Sequence, residues 1–335
     1  MPISRRSLLT SLPALALLPS LPALAQGPKR LTVALDWTPN TNHIGLYVAQ
    51  ALGLYAEAGL AVEILPYADV SAGTLVASHV ADFGVLGAVG FFTQRAAGAD
   101  LVATYAVVQA ETGRLVFLAD RADIQRPADL DGKLYGGFGS AWENALIGSI
   151  IRHDGGKGEF ETVTLGTSAY DALANGAVDF TLEVFTWEGV RAELRGPAQR
   201  AFRYADYGVP DQHTTFIGSS TALLAREPEA AQKFLAATRA GFAYAVDHPD
   251  AATDLLIAAN ADALTDREFV RASLEALISG HYLRSADGAV GRIDPAKIAA
   301  IGQFFFAAGM LKDGNGTVLP EKPDFSGWFS NDYLA

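Results

Sequence analysis

Three short segments bring aromatic rings and hydrogen-bonding groups together at the ends of apolar runs. In the first, Asp36-Trp37-Thr38-Pro39-Asn40-Thr41-Asn42-His43 follows a strand-like run over 30–35 and leads into helical spacing over 43–54. A flat indole at that position either faces a flat ligand or fills the core. Asn40, Thr41 and Asn42 supply oxygens that either cap the helix or bond a ligand, and His43 either reaches the ligand or serves the helix. In the second, Glu183-Val184-Phe185-Thr186-Trp187-Glu188 closes a strand over 178–182. A carboxylate there accepts hydrogen bonds from amino groups. Glu183 is the first choice because it stands nearest the carboxyl end of the strand, where open α/β sheets bind ligands. Glu188 either joins it or is a helix-start acid favoured by the macrodipole, and Trp187 is either wall or core. In the third, Gly136-Gly137-Phe138-Gly139-Ser140-Ala141-Trp142-Glu143 links a strand to a helix. Its glycines let backbone approach a ligand, with Ser140 and Trp142 beside it, or they make a plain turn with Ser140 as a cap. The spacing is neither a dinucleotide fingerprint nor a P-loop.

Other chemistry lacks its residues. The chain has no cysteine, which excludes disulfides, thiolate metal sites and cysteine nucleophiles. Its six histidines, His43, His79, His153, His213, His248 and His281, form no i, i+4 pair, and there is no G-x-S-x-G elbow. No catalytic residue, metal or cofactor is therefore expected. A net charge of −12 without a Lys/Arg cluster argues against nucleic acid.

The elements that must position these segments alternate strand and helix from residue 30 to about 194, as βαβ units do. From 228 onward the pattern is mainly helical. The stretch 313–335 holds Gly314, Gly316, Pro320, Pro323 and Gly327 and reads as an extended tail, pinned by Phe325, Trp328, Phe329 and Tyr333. An α/β fold of two lobes follows, with a mostly parallel sheet in each and a ligand cleft between them. Residues 26–110 plus 208–335 form lobe I, with a helical C-terminal part and the tail; 111–207 form lobe II. Gln109 and Glu111 fall near one crossover and Tyr207 near the other, as hinge residues, ligand contacts or solvated loop.

The first 25 residues read as a cleaved export signal: Arg5 and Arg6, an apolar run, then Ala23-Leu24-Ala25. Ser4-Arg5-Arg6-Ser7-Leu8-Leu9 also fits a twin-arginine signal. Export implies a periplasmic or otherwise extracytoplasmic protein.

The segment 35–43, followed by Gly45-Leu46-Tyr47-Val48-Ala49 and Gly53-Leu54-Tyr55, resembles the thiamine-pyrimidine binding-protein family. Further matches stand at Val80-Ala81-Asp82-Phe83-Gly84, at 127–133, at Ala177-Val178-Asp179 and at 206–211. The resemblance implies a type II periplasmic binding architecture. It implies capture of a formylaminopyrimidine or hydroxymethylpyrimidine for an ABC importer, with a permease in the inner membrane as partner and the binding protein itself a monomer. It makes Trp37 the stacking partner and the 136–143 turn a ligand contact. The related eukaryotic synthase carries pyridoxal phosphate on a lysine near a histidine and has a cysteine-rich iron motif. The matching stretch here, 82–90, has neither lysine nor histidine, and Gly87 leaves room for the bulk of a ligand. A binder and not an enzyme is expected. The alternatives are the same fold carrying riboflavin, an alkylsulfonate such as taurine, or nitrate, and an exported enzyme acting on a pyrimidine.

Overall fold

A computed structural model describes residues 27–334; the expected export signal lies outside the described residues. Ten strands build two five-stranded sheets. The first contains β1 (Lys29–Ala34), β2 (Leu60–Leu65), β3 (Phe83–Gly87), β4 (Val102–Val108) and β10 (Thr215–Ser219), in the order β2-β1-β3-β10-β4. The second contains β5 (Gly113–Leu118), β6 (Leu134–Gly137), β7 (Glu161–Thr164), β8 (Phe180–Val184) and β9 (Gln199–Arg203), in the order β7-β6-β8-β5-β9. The two orders are the same pattern built twice.

Each sheet has four strands running one way and one reversed, so half of its pairings are antiparallel. The reversed strands are β10 and β5, and each directly follows a crossing between the sheets. β4 passes into β5 through residues 109–112, and β9 returns to β10 through 204–214. A strand that leaves one sheet directly for the other runs beside its own return, and such a pair is antiparallel. The crossings therefore continue one two-stranded ribbon from sheet to sheet.

Side chains alternate across the first sheet as the pleat requires. Phe83, Val85 and Ile217 enter one core cluster, against helices Ile44–Ala51, Pro228–Asp247 and Arg267–Ser279. Leu86 and Phe216 enter the other, with Phe91, Phe92, Phe305 and, from the tail, Phe325 and Trp328. Phe83 stacks on Phe234 at 4.3 Å between centroids. Burying one such ring is worth roughly 1.5–3 kcal/mol. Helices Ile44–Ala51 and Pro228–Asp247 meet at bare backbone, since a Cβ on Gly241 would lie 2.1 Å from the Gly45 carbonyl oxygen. That close seat fixes the start of the helix that follows Trp37.

The second sheet packs Phe117, Tyr135 and Phe180 against helix Ala141–His153 on one face. The other face is thinner: Val116, Leu173 and Val178. No helix among the described residues is long and apolar enough to cross a membrane.

Candidate ligand-binding cleft

The first-sheet wall begins where β1 ends. His43 is fully buried, and its Nδ1 accepts the Asn40 N–H at 3.3 Å. The ring proton is thereby placed on Nε2, which donates to Asp36 Oδ1 at 2.8 Å. Asn40 caps the turn Thr41–His43 by accepting the Asn42 N–H at 2.9 Å. These bonds hold the turn and leave the half-buried Trp37 indole and the Asn42 side chain on the cavity wall. Tyr67 braces it at 5.1 Å, and Phe138 of the second sheet's segment meets it edge-on at 6.5 Å. β3 delivers Gly87, where a Cβ would meet no atom within 4 Å.

The second-sheet wall begins where β8 ends and the π-turn Phe185–Gly189 starts. Glu183 is buried, and its Oε1 accepts Arg114 Nε at 2.7 Å as well as Arg114 Nη2. Arg114 also lies over the Phe185 ring at 4.3 Å. Burial raises the Glu183 carboxyl, and the Arg114 charge opposes the rise. Glu188 has no comparable cation. Burial pushes its carboxyl up to about 7, although its Oε2 accepts the Val184 N–H at 3.3 Å. The sequence favours Glu183 as the free acceptor; in the structure Arg114 pairs with Glu183, and Glu188 forms no ion pair among the described residues. Tyr170 completes this wall.

A hydroxyl relay ties the walls together behind the cavity. Ser273 Oγ donates to the Thr186 carbonyl at 2.5 Å, so Thr41 Oγ1 is the donor in its 2.7 Å contact with Ser273. Beside it, Trp187 packs on Phe269 with centroids 4.4 Å apart.

The glycine-rich turn is organised by one residue. Glu143 is fully buried and accepts from Tyr135 Oη at 2.8 Å, the Phe138 N–H at 3.0 Å, the Ser140 N–H at 2.7 Å and Ser140 Oγ at 2.8 Å. Ser140 and Glu143 form a capping box.

Six of the sequence-derived candidates line one cavity of about 940 Å³: Trp37, Asn42, Gly87, Trp142, Glu183 and Trp187. Four do not. His43 points inward to Asp36 and holds the Trp37 turn. Ser140 is committed to Glu143. Gln109 donates through Nε2 to the Ala106 carbonyl at 2.8 Å, and its own carbonyl accepts Lys297 Nζ at 2.6 Å. Tyr207 packs edge-on against Phe202 at 5.7 Å. Phe138, Tyr170, Tyr204 and Gln212 line the cavity without having been singled out, as does the end of helix Pro295–Ala307. The charged residues on the lining are Asp36, Glu111, Glu183, Glu188, Asp313 and Lys312, with no arginine. Among the described residues, no group of three or more His, Asp or Glu is placed to hold a metal.

Two sheets of one topology, a double crossing and a cleft between them define a type II periplasmic-binding-protein fold. The periplasmic aliphatic sulphonate binding protein of Escherichia coli shares it with a TM-score of 0.67 over 90% of this chain and 92% of its own, at 18% identity. The alkanesulfonate-binding protein of Xanthomonas axonopodis pv. citri gives 0.67 over 91% and 99%, at 17% identity. The NMT1/THI5-like family model matches residues 40–252, and the chain belongs to that family. Among its relatives, the formylaminopyrimidine-binding protein of Halalkalibacterium halodurans is 27% identical over 67% of this chain and 69% of its own length. The 4-amino-5-hydroxymethyl-2-methylpyrimidine phosphate synthase of Legionella pneumophila is 26% identical over 68% of this chain and 72% of its own.

Proposed function

We propose that this protein is the substrate-binding component of an ABC importer, capturing a thiamine pyrimidine precursor of the formylaminopyrimidine or hydroxymethylpyrimidine type. The observation that carries the reading is the pairing across one cleft of an aromatic face, Trp37, with an acid, Glu188, that Arg191 influences only from a distance and that forms no ion pair like the one between Glu183 and Arg114. An aminopyrimidine stacks on the first and donates its amino hydrogens to the second. Offset stacking contributes about 0.5–1.5 kcal/mol beyond burial. A hydrogen bond to a charged group adds about 1.5–3 kcal/mol. Ligand draws lobe I, 26–110 plus 208–335, and lobe II, 111–207, together about the double crossing. The closed monomer then docks on an inner-membrane permease from the periplasmic side, after export directed by residues 1–25.

The acid-rich lining disfavours sulfonate and nitrate, which need arginine or several N–H donors. Against an enzyme, residues 82–90 supply neither lysine nor histidine, and the lining has no nucleophile paired with a base. Mass spectrometry of molecules that co-purify with the mature protein, followed by calorimetry with pyrimidines, flavins and sulfonates, tests the reading. Tight binding of an aminopyrimidine is the expected result. Preference for a flavin or sulfonate refutes the cargo, and turnover of any candidate refutes the carrier.

A further inference from the structure

Where the two crossings pass each other, three buried polar side chains meet. Glu111 lies on the outward crossing, Gln212 on the return, and Tyr204 just beyond β9; all three line the cleft cavity. Glu111 is satisfied by protein: its Oε1 accepts the Gly113 N–H at 2.7 Å and its Oε2 accepts Gln212 Nε2. Gln212 and Tyr204 are not. Gln212 Oε1 and the Tyr204 hydroxyl are each enclosed and make no hydrogen bond, in residues only 8% and 5% exposed.

A buried polar atom left unpaired opposes folding, so such atoms are rare and call for a cause. Here two of them belong to residues that line one cavity; the Gln212 oxygen can only accept, while the Tyr204 hydroxyl can donate as well as accept. Burial and the nearby acids keep the Tyr204 hydroxyl protonated, and the Gln212 amide nitrogen is already committed to Glu111. Gly113 keeps the arrangement tight, since a Cβ there would lie 2.1 Å from the Tyr204 ring and 2.9 Å from Glu111 Oε1. A matching ligand edge carries a donor for Gln212 Oε1 beside an acceptor for the Tyr204 O–H, and no negative charge. Carboxamides, formamides and the amino–ring-nitrogen edge of an aminopyrimidine have this form. A carboxylate or sulfonate has no donor for Gln212 Oε1 and would face Glu111.

We propose that Tyr204 and Gln212 form a recognition point on the hinge floor of the cleft that reads a neutral donor–acceptor edge at the buried end of the cargo. The proposal rests on the reading of the cleft as a cargo site. It adds that the cargo is held by both chain crossings as well as by the two walls.

The test is Tyr204→Phe, studied by thermal unfolding without ligand and by calorimetry with two probe pairs. The first pair is 4-amino-5-hydroxymethyl-2-methylpyrimidine and its analogue lacking the amino group; the second is nicotinamide and nicotinate. The variant is expected to bind the aminopyrimidine at least tenfold more weakly, while its unliganded Tm stays the same or rises, because the hydroxyl has no partner to lose. Unchanged affinity in the variant overturns the proposal and leaves the carrier reading intact. A lower unliganded Tm with equal losses for every probe makes Tyr204 structural and also overturns it. If the natural protein binds neither pyrimidine, the cargo reading fails and the amide pair decides. A preference for nicotinamide over nicotinate that Tyr204→Phe abolishes supports the recognition point; no preference overturns it.

Discussion

The first-sheet wall of the cleft presents the Trp37 ring and the empty place beside Gly87, while the second-sheet wall presents Glu183, Glu188, Tyr170 and Trp142. On the first wall, most polar groups satisfy one another: His43 with Asp36, and the Asn40 side chain with the Asn42 N–H. What faces the cavity there is mainly shape, with the Asn42 side chain beside it. On the second wall, one acid is neutralised by Arg114 and the other is not, so what faces the cavity is a hydrogen-bonding demand. A cargo touching a single wall gains stacking or charge complementarity, and one touching both gains the two together. Selectivity of this kind needs the walls to meet, so the proposed function makes closure and recognition one event.

The contrast can be broken hardest at Glu143. Glu143→Ala removes the acceptor of four hydrogen bonds and leaves buried donors unpaired, at a cost of about 3 kcal/mol or more. Denaturant unfolding is expected to show that loss, with the second wall's Phe138 turn disordered. Trp37→Ala is next. It is expected to fold with near-normal stability and to bind an aminopyrimidine about thirtyfold more weakly, roughly 2 kcal/mol by calorimetry. Unchanged affinity would remove Trp37 from the site.

Glu188 sharpens the contrast through pH. Its carboxyl, ordinarily 4.5, sits at about 7 in the folded chain, facing Glu183, Arg191 and Tyr170. The folded state therefore holds this proton more tightly than the unfolded chain does. This group's contribution to stability falls as pH rises from 4.5 to about 7 and is level above that. A neutral amino donor prefers the ionised form, so affinity is expected to rise about tenfold between pH 6 and pH 8. Glu188→Gln is expected to flatten both slopes, as titration calorimetry and thermal melts across pH would show. The smallest effect belongs to Gly87→Ala, whose methyl meets nothing within 4 Å and should leave stability unchanged. Gly87→Leu then reports on volume alone, lowering affinity without lowering Tm.

The architecture and most of both walls are visible in the sequence because Trp37, Gly87 and Glu183 stand at the ends of apolar strands with helices behind them. Two strands are not visible. β9, Gln-Arg-Ala-Phe-Arg, is an edge strand, and edges carry charge that reads as loop. β10, Thr-Phe-Ile-Gly-Ser, contains Gly218, where a Cβ would lie 2.6 Å from Leu86 Cδ1; a glycine needed for close packing looks like a breaker. Without those strands the return crossing has no ends. Tyr207 then stands out where Tyr204 and Gln212 are the residues on the cavity. The inward commitment of Ser140 is a different case, since Ser140-x-x-Glu143 is a capping-box spacing. Charge neutralisation of Glu183 by Arg114 depends on β5–β8 register, which opposes those two residues and which no local pattern encodes.

The double crossing also sets an order of assembly. Every strand of the second sheet lies within residues 113–203, so that sheet has all its partners once this stretch has been made. The first sheet waits for β10, which must slide between β3 and β4 and bring Thr215 beside Gly87 and Val108. Until then β4, buried along all seven residues in the finished protein, is an apolar strand with no neighbour and a hazard for aggregation. Refolding is expected to protect amides of the central stretch first and those of β4 last in pulse-labelled hydrogen exchange, because the long closure must precede the contacts that reward it.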